Sequence, residues 1–278
     1  MRIAVRVVAL AFAAAAGVGT ALAQDPAMTP EQQQEKLAKL ARAAQNPVAA
    51  MISVPFQLNT SFGTLAPYDR TQNVLNIQPV IPVTINKDWN LITRTIIPVI
   101  WQPDFAATGS TDGIGDINLS LFLSPAKPGK VIWGLGAALA FPTGSPVDLS
   151  AGKFTAGPSF VVLSMPGPWV LGMIANNTWS YAGQQDKSAV NFFYSQVFVN
   201  YNFKRTGWYL TFAPIITANW EASSGNVWTV PLGAGAGKIV RVGKLPLNIN
   251  LSAYGYAERP VGGPTWTLRT QVAVLLPR

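Results

Sequence analysis

The 278-residue sequence contains no cysteine and no histidine. Without cysteine the chain cannot form disulfides or reactive thiolates, and this absence suits an exported bacterial protein. Without cysteine and histidine it cannot build a His/Cys zinc site, and without histidine it cannot build a Ser-His-Asp triad. The two absences therefore exclude these metal-dependent and nucleophilic mechanisms.

The sequence also has little charge and no long apolar run. Only 12% of its residues are charged although 49% are hydrophobic, whereas about a quarter of a soluble domain is typically charged. Beyond the N-terminal segment, no apolar run approaches the roughly 18 residues of a membrane helix, and the longest, residues 131–141, is interrupted by Gly134 and Gly136. A large soluble β protein and a membrane β-barrel remain. The net charge of +8 is dispersed, so no nucleic-acid partner is expected.

The N-terminus has the features of a cleaved secretory signal. Arg2 and Arg6 precede an apolar run, which ends at the small-residue site Ala21-Leu22-Ala23, so we expect residues 1–23 to be removed. Residues 24–48 are predicted to be a helical segment, capped by Thr29 and ending at Asn46-Pro47. This segment could be a periplasmic tail, a helix packed on a barrel rim, or a plug inside a barrel.

Residues 49–278 show apolar residues with a period of two. In the first segment, positions 52, 54, 56 and 58 are apolar, and they alternate with Ser, Pro, Gln and Asn at positions 53, 55, 57 and 59. Such alternation predicts strands with one apolar face and, on the other face, an interior suited to water. About twelve segments begin near residues 50, 71, 89, 114, 131, 154, 169, 189, 208, 226, 245 and 265. An even number of antiparallel strands can close into a barrel, which leaves no unpaired edge in lipid.

All nine tryptophans stand at the ends of these segments, as they would in two belts at the headgroup level of a bilayer. Tight turns rich in Lys and Arg alternate with mostly longer, Gly-rich loops, which is typical of outer-membrane barrels. A soluble β-sandwich should instead bury its aromatic residues in mid-strand. We therefore predict an all-β fold, an antiparallel transmembrane β-barrel of about twelve strands with a short N-terminal helix, in contact with outer-membrane lipid.

Polar and charged residues inside the predicted strands are candidates for the lumen wall, because an Arg facing mid-bilayer lipid costs about 2–4 kcal/mol. The candidate lumen and solute-binding residues are Arg94, Asp116, Asn118, Asn248, Asn250, Tyr254, Tyr256 and Arg269. The arginines could form a selectivity filter, or Arg94 and Asp116 on adjacent strands could form a buried ion pair. The tyrosines could stack on a ring-bearing solute or fill space. Inward glycines at positions 134, 136, 233, 235 and 237 could widen the lumen or accommodate a plug.

Catalysis by carboxylates alone needs two acids placed close together. Asp116, Glu221 and Glu258 are the only acids on or beside the predicted inward faces, and they fall on three different strands. We therefore expect no enzymatic activity, no metal and no cofactor.

Several stretches carry a resemblance to a known family, namely Gln45 to Val48, Ile52 to Asn59, Tyr68 to Asn73, Asp88 to Ile100, and Gly115 to Asn118. They resemble proteobacterial outer-membrane proteins grouped as "MetA-pathway of phenol degradation" proteins, which are often labelled transporter or neuromedin U. The resemblance extends over nearly the whole chain beyond the signal. It implies an outer-membrane barrel and suggests passage of small aromatic or hydrophobic compounds.

The combined prediction is a narrow outer-membrane channel for passive movement of small solutes. Two alternatives stay open. One is a structural or partner-binding barrel with a closed lumen, and the other is a soluble periplasmic β protein. The sequence leaves open the solute and the oligomeric state.

Overall fold

A computed structural model describes residues 29–65, 69–103, 109–243 and 245–276. The predicted signal peptide lies outside the described residues. Helix α1, Pro30–Ala44, begins with a capping box, in which the Thr29 hydroxyl accepts from the Gln32 amide and the Gln32 side chain accepts from the Thr29 amide. It ends before Asn46-Pro47, as expected from the sequence. No helix in the described part of the chain is long and apolar enough to cross a membrane.

The rest of the chain is antiparallel sheet. Its segments are β1 Ile52–Thr64, β2 Arg70–Ile77, β3 Val80–Thr84, β4 Trp89–Gln102, β5 Thr111–Ile114, β6 Ile117–Pro125, β7 Val131–Phe141, β8 Lys153–Ser164, β9 Trp169–Gly183, β10 Asn191–Asn202, β11 Trp208–Phe212, β12 Ile215–Asn219, β13 Trp228–Val242, β14 Leu245–Glu258 and β15 Trp266–Leu276. One 3₁₀ turn, Val147–Leu149, lies between β7 and β8.

The fifteen segments form twelve barrel strands, because three strands are interrupted. β2 and β3 both pair with β4, β5 and β6 also both pair with β4, and β11 and β12 both pair with β10 and β13. Pro79 and Pro214 stand at two of the breaks, where a residue without an N–H cannot continue the ladder. β1 pairs with β15 from Ile52–Leu276 to Phe62–Trp266, which closes the barrel. The predicted twelve-stranded barrel is confirmed.

The barrel has two distinct ends. The near end carries the tight turns after β3, β6, β8, β10 and β13 and both ends of the barrel chain, and the far end carries the longer connections. Seven of the nine tryptophans are 37–48% exposed on the outer surface. Trp89 contacts the outward Trp133 at the near end, with ring centroids 6.0 Å apart, and Trp220 contacts Trp228 at the far end, at 5.3 Å. These contacts form the two aromatic belts that the sequence predicted.

The interior differs from the sequence prediction of a mostly polar lumen. Ile92 and Phe122, which break the expected alternation, point inward and are at most 1% exposed. They belong to an apolar cluster, whose strand residues lie within five positions of the near strand ends. The buried members of this near-end cluster are Val48, Ile92, Phe122, Val161, Leu163, Val170, Ile174 and Phe198.

Glycine makes room for aromatic rings along the interior. A Cβ at Gly172 would lie 2.5 Å from Cζ of Phe198, and a Cβ at Gly237 would lie 2.7 Å from Cε1 of Tyr209. In each case the aromatic ring packs over the glycine, as often happens in β-barrels. The ring restores the packing that is lost where the glycine has no side chain. At these two positions the missing side chain therefore leaves space for an aromatic ring of the barrel itself.

Candidate functional site in the barrel lumen

A continuous polar wall faces the lumen along β14, β15 and β1. Register pairs place Ser252 opposite Arg269 and Arg269 opposite Asn59, so all three point to the same side of the sheet. Tyr254 is opposite Thr267 in the next inward row. The wall thus brings together five of the predicted lumen residues on two adjacent strands, namely Asn248, Asn250, Tyr254, Tyr256 and Arg269.

Arg269 is the centre of this wall. Its side chain is 8% exposed, and its Nε donates to Asn59 Oδ1 at 3.0 Å. Its Nη1 donates to the carbonyl oxygen of Ala213 at 3.0 Å, and the guanidinium carbon lies 4.6 Å from the ring centroid of Tyr254. Among the described residues one side-chain ion pair forms, between Lys39 and Glu35 in α1, so no described carboxylate pairs with Arg269. The guanidinium therefore contributes an uncompensated positive charge to the inner wall.

The acceptor of Arg269 comes from a strand break that sequence reasoning missed. Ala213 lies between β11 and β12, and the following Pro214 has no N–H with which to continue the ladder. The Ala213 carbonyl also accepts from the Tyr254 hydroxyl at 3.3 Å and from Gln196 Nε2 at 3.5 Å. Pro214, inside an otherwise alternating strand, could have indicated this break, because a proline frees a neighbouring carbonyl for side-chain donors.

The other polar residues of the wall form a hydrogen-bonded row. The Tyr209 hydroxyl donates to Asn248 Oδ1 at 2.8 Å, and Asn250 Nδ2 donates to the Ala236 carbonyl at 3.2 Å. The Tyr256 hydroxyl lies 2.8 Å from Thr267 Oγ1. These partners orient the side chains, so the wall is a preorganised polar surface rather than a set of independent groups.

The remaining three predicted residues lie elsewhere on the ring. Arg94 is on β4, three strands from β15, and its Nη2 donates to Gln78 Oε1 at 2.7 Å. The possible ion pair between Arg94 and Asp116 does not form. Asp116 instead accepts from the Gly144 amide, the Ser150 hydroxyl and the Ala151 amide at 2.7–2.9 Å, and therefore anchors the loop between β7 and β8.

Asn118, the next candidate along the chain, donates through Nδ2 to the Asp116 carbonyl at 3.0 Å and is exposed. It lies at the far end of its strand, outside the polar wall. No group of three or more acidic residues in the described part of the chain could hold a metal ion.

Helix α1 packs against inward side chains at the near end of the lumen. Ala41 is 1% exposed and packs in a cluster with Ile239, Ala273 and Leu275, which share inward faces with Gly237 and Arg269. Leu37 and Leu40 of the helix also pack against this cluster. Of the three placements that the sequence left open, the structure therefore shows the helix inside the near mouth of the barrel.

No family model and no curated protein matches the chain, so the family resemblance stays a prediction. Solved structures do match. The COG4313 outer membrane channel from Pseudomonas putida F1 has a TM-score of 0.63 and 17% identity, over 83% of this chain and 96% of that chain. The NanC porin has a TM-score of 0.52 and 9% identity, over 82% and 100%. Outer membrane phospholipase A from Escherichia coli has a TM-score of 0.42 and 12% identity, over 85% and 97%.

At these identities the first two structures show the fold alone, which is that of outer-membrane barrels. The fold and the apolar outer surface with its aromatic belts support an outer-membrane location, with lipid against the outer face.

Proposed function

We propose that the protein is an outer-membrane channel through which small solutes pass passively, without enzymatic activity. The observation that carries the proposal is the inward Arg269, whose charge has no carboxylate partner. A cation fixed on a lumen wall is a typical selectivity element, because it lowers the energy of an anion that passes. A channel and a porin with the same fold are consistent with this function.

The chemistry of the two interior surfaces indicates the class of solute. The polar wall offers a guanidinium, amides and the rings of Tyr254 and Tyr256, and the near-end cluster offers aliphatic and aromatic side chains. We propose that small ring-bearing or hydrophobic solutes, and among these preferably anions, fit both surfaces. The candidate residues on the polar wall would then contact the solute, while Arg94 and Asp116 support the strand and the loop that they bind.

A second candidate function is a structural or partner-binding barrel with a permanently closed lumen. The buried near-end cluster and the helix α1, which packs in the near mouth, favour it. It would present its far-end loops to partners and pass no solute.

Reconstitution into planar lipid bilayers separates the two functions. We expect single-channel events from the folded protein that begins at Gln24, or from a variant lacking residues 24–45, with a reversal potential displaced toward that of chloride. Swelling of liposomes in benzoate should exceed swelling in a neutral sugar of similar size. Folded protein that produces no events in either form would refute the channel and leave the closed barrel.

A further inference from the structure

Helix α1 packs in the near mouth without being part of the barrel. It makes no strand pairing, since every strand of the closed ring finds both neighbours among β1–β15. Residues on its outer side, including Glu31, Glu35 and Lys39, are exposed, and the Glu35–Lys39 ion pair lies within the helix. Removing α1 from the mouth would therefore leave all backbone hydrogen bonds of the barrel intact.

Two side chains at the end of the helix hold it in place. Arg42 Nη2 donates to the carbonyl oxygen of Met165, just after β8, at 2.7 Å. Gln45 and Asn202 exchange two amide hydrogen bonds, at 2.8 and 3.1 Å, at the end of β10. These contacts connect the helix to the barrel wall through three reversible hydrogen bonds, which we call the latch.

A short irregular segment joins the helix to the barrel. Asn46-Pro47 follows the C-cap, and Asn46 Oδ1 accepts from the amide of Val48. Val48 is 6% exposed within the near-end cluster, so it anchors the chain on the barrel side of this joint. The helix can consequently turn about Asn46-Pro47 while Val48 and β1 stay in place.

We propose that α1 is a displaceable plug, which closes the lumen in the docked position and opens its near end when the latch breaks. The proposal rests on the proposed channel function. The helix presents a short apolar stripe to the inward cluster of Ile239, Ala273 and Leu275, and this stripe consists of Leu37, Leu40, Ala41, Ala43 and Ala44. In this proposal the docked and displaced positions of the helix are in a two-state equilibrium, and the open state is the minor population.

The structure offers one site at which the plug can be locked. A Cβ built on Gly207 would lie 3.8 Å from Cβ of Leu37, which is the mean Cβ separation in disulfides. Because the chain has no cysteine, Leu37→Cys with Gly207→Cys would create a single possible intramolecular pair. We expect oxidation to lower the open probability in a planar bilayer at least tenfold, and a reducing agent to restore it. Each single-cysteine variant is the matched control and should not respond to oxidation.

A second variant avoids Gly207, whose φ of +71° disfavours any side chain. Arg42→Ala with Gln45→Ala removes the latch and should raise the open probability at least tenfold, since the three lost hydrogen bonds, one of them from a charged donor, together contribute more than that factor. Lys39→Ala, on the exposed side of the same helix, is the control and should leave openings unchanged.

The outcomes separate the plug from the channel. Equal openings of the oxidised and reduced pair, or no increase without the latch, would overturn the plug while the channel stands. An absence of openings in every form, including the variant without residues 24–45, would remove the channel function and the plug with it.

Discussion

Replacement of Arg269 tests the polar wall most directly. Arg269→Met keeps the aliphatic length of the side chain but removes the donors to Asn59 and Ala213 and the contact with the Tyr254 ring. Each hydrogen bond from a charged donor contributes about 1.5–3 kcal/mol, and the ring contact about 1 kcal/mol or more. Relief of the desolvation cost of the buried charge offsets part of this sum. We therefore expect the free energy of unfolding to fall by about 2–3 kcal/mol.

Arg269→Lys separates charge from geometry. A single ammonium retains the positive charge but cannot reach two divergent acceptors as the planar guanidinium does. We expect this variant to lose about 1–2 kcal/mol of stability, because one acceptor is left without its donor. It should nevertheless keep the anion preference of the lumen, which Arg269→Met should lose.

Urea unfolding in lipid vesicles, followed by tryptophan emission, measures the free energy of unfolding. The reversal potential in a KCl gradient measures the anion preference of the lumen. Arg259→Met is the matched control, because Arg259 donates to the Gly263 carbonyl within a far-end loop; its stability should change by about 0.5 kcal/mol or less. A wild-type unfolding midpoint for Arg269→Met would refute the assigned hydrogen bonds. An equal loss of selectivity in the Lys and Met variants would refute the assignment to charge.

Three further predictions concern other parts of the molecule. Gly237→Ala should lower the free energy of unfolding by about 1–3 kcal/mol through overpacking against the ring above it, whereas Gly255→Ala, with no atom within 4 Å of the new Cβ, should be neutral in the same urea assay. Asp116→Asn should raise amide exchange about tenfold in the loop between β7 and β8, and unchanged exchange would contradict its anchoring role. The Lys39 ammonium lowers the pKa of Glu35 below its ordinary value of 4.5, so the stability that this pair adds to α1 is complete above that pH and is lost as pH falls through the lowered pKa. Exchange in α1, corrected for its intrinsic pH dependence, should show this loss, and Glu35→Gln should abolish it.

The barrel could be predicted because lipid imposes one rule on every strand. Apolar residues at alternate positions, and tryptophan at strand ends, report the lipid face locally, without reference to any other strand. The prediction was less accurate where residues face inward, because the interior obeys no single rule. Ile92 and Phe122 are apolar residues at positions where the alternation predicts polar ones. They point inward as the alternation requires, and they belong to the near-end cluster.

The candidate site shows the same limit of prediction from the sequence. The inward position of Arg269 followed from parity, but its acceptor on Ala213 comes from a strand that pairs with β10 and β13, more than fifty residues away in sequence. The Arg94–Asp116 pair was a reasonable expectation from adjacent strands. It failed because register and strand breaks placed Gln78 beside one and the β7–β8 loop beside the other.

The sequence by itself determined the closed antiparallel barrel, its strand count, its outer face and its two aromatic belts, since each follows from local periodicity and from the cost of polar groups in lipid. Only the tertiary structure decided which inward side chains meet, that an apolar cluster forms at the near end of β4, β6, β8, β9 and β10, and that α1 lies inside the mouth. Those contacts join residues far apart in the chain, and several partners satisfy the same hydrogen-bonding and burial requirements. Only the closure of the ring selects among them.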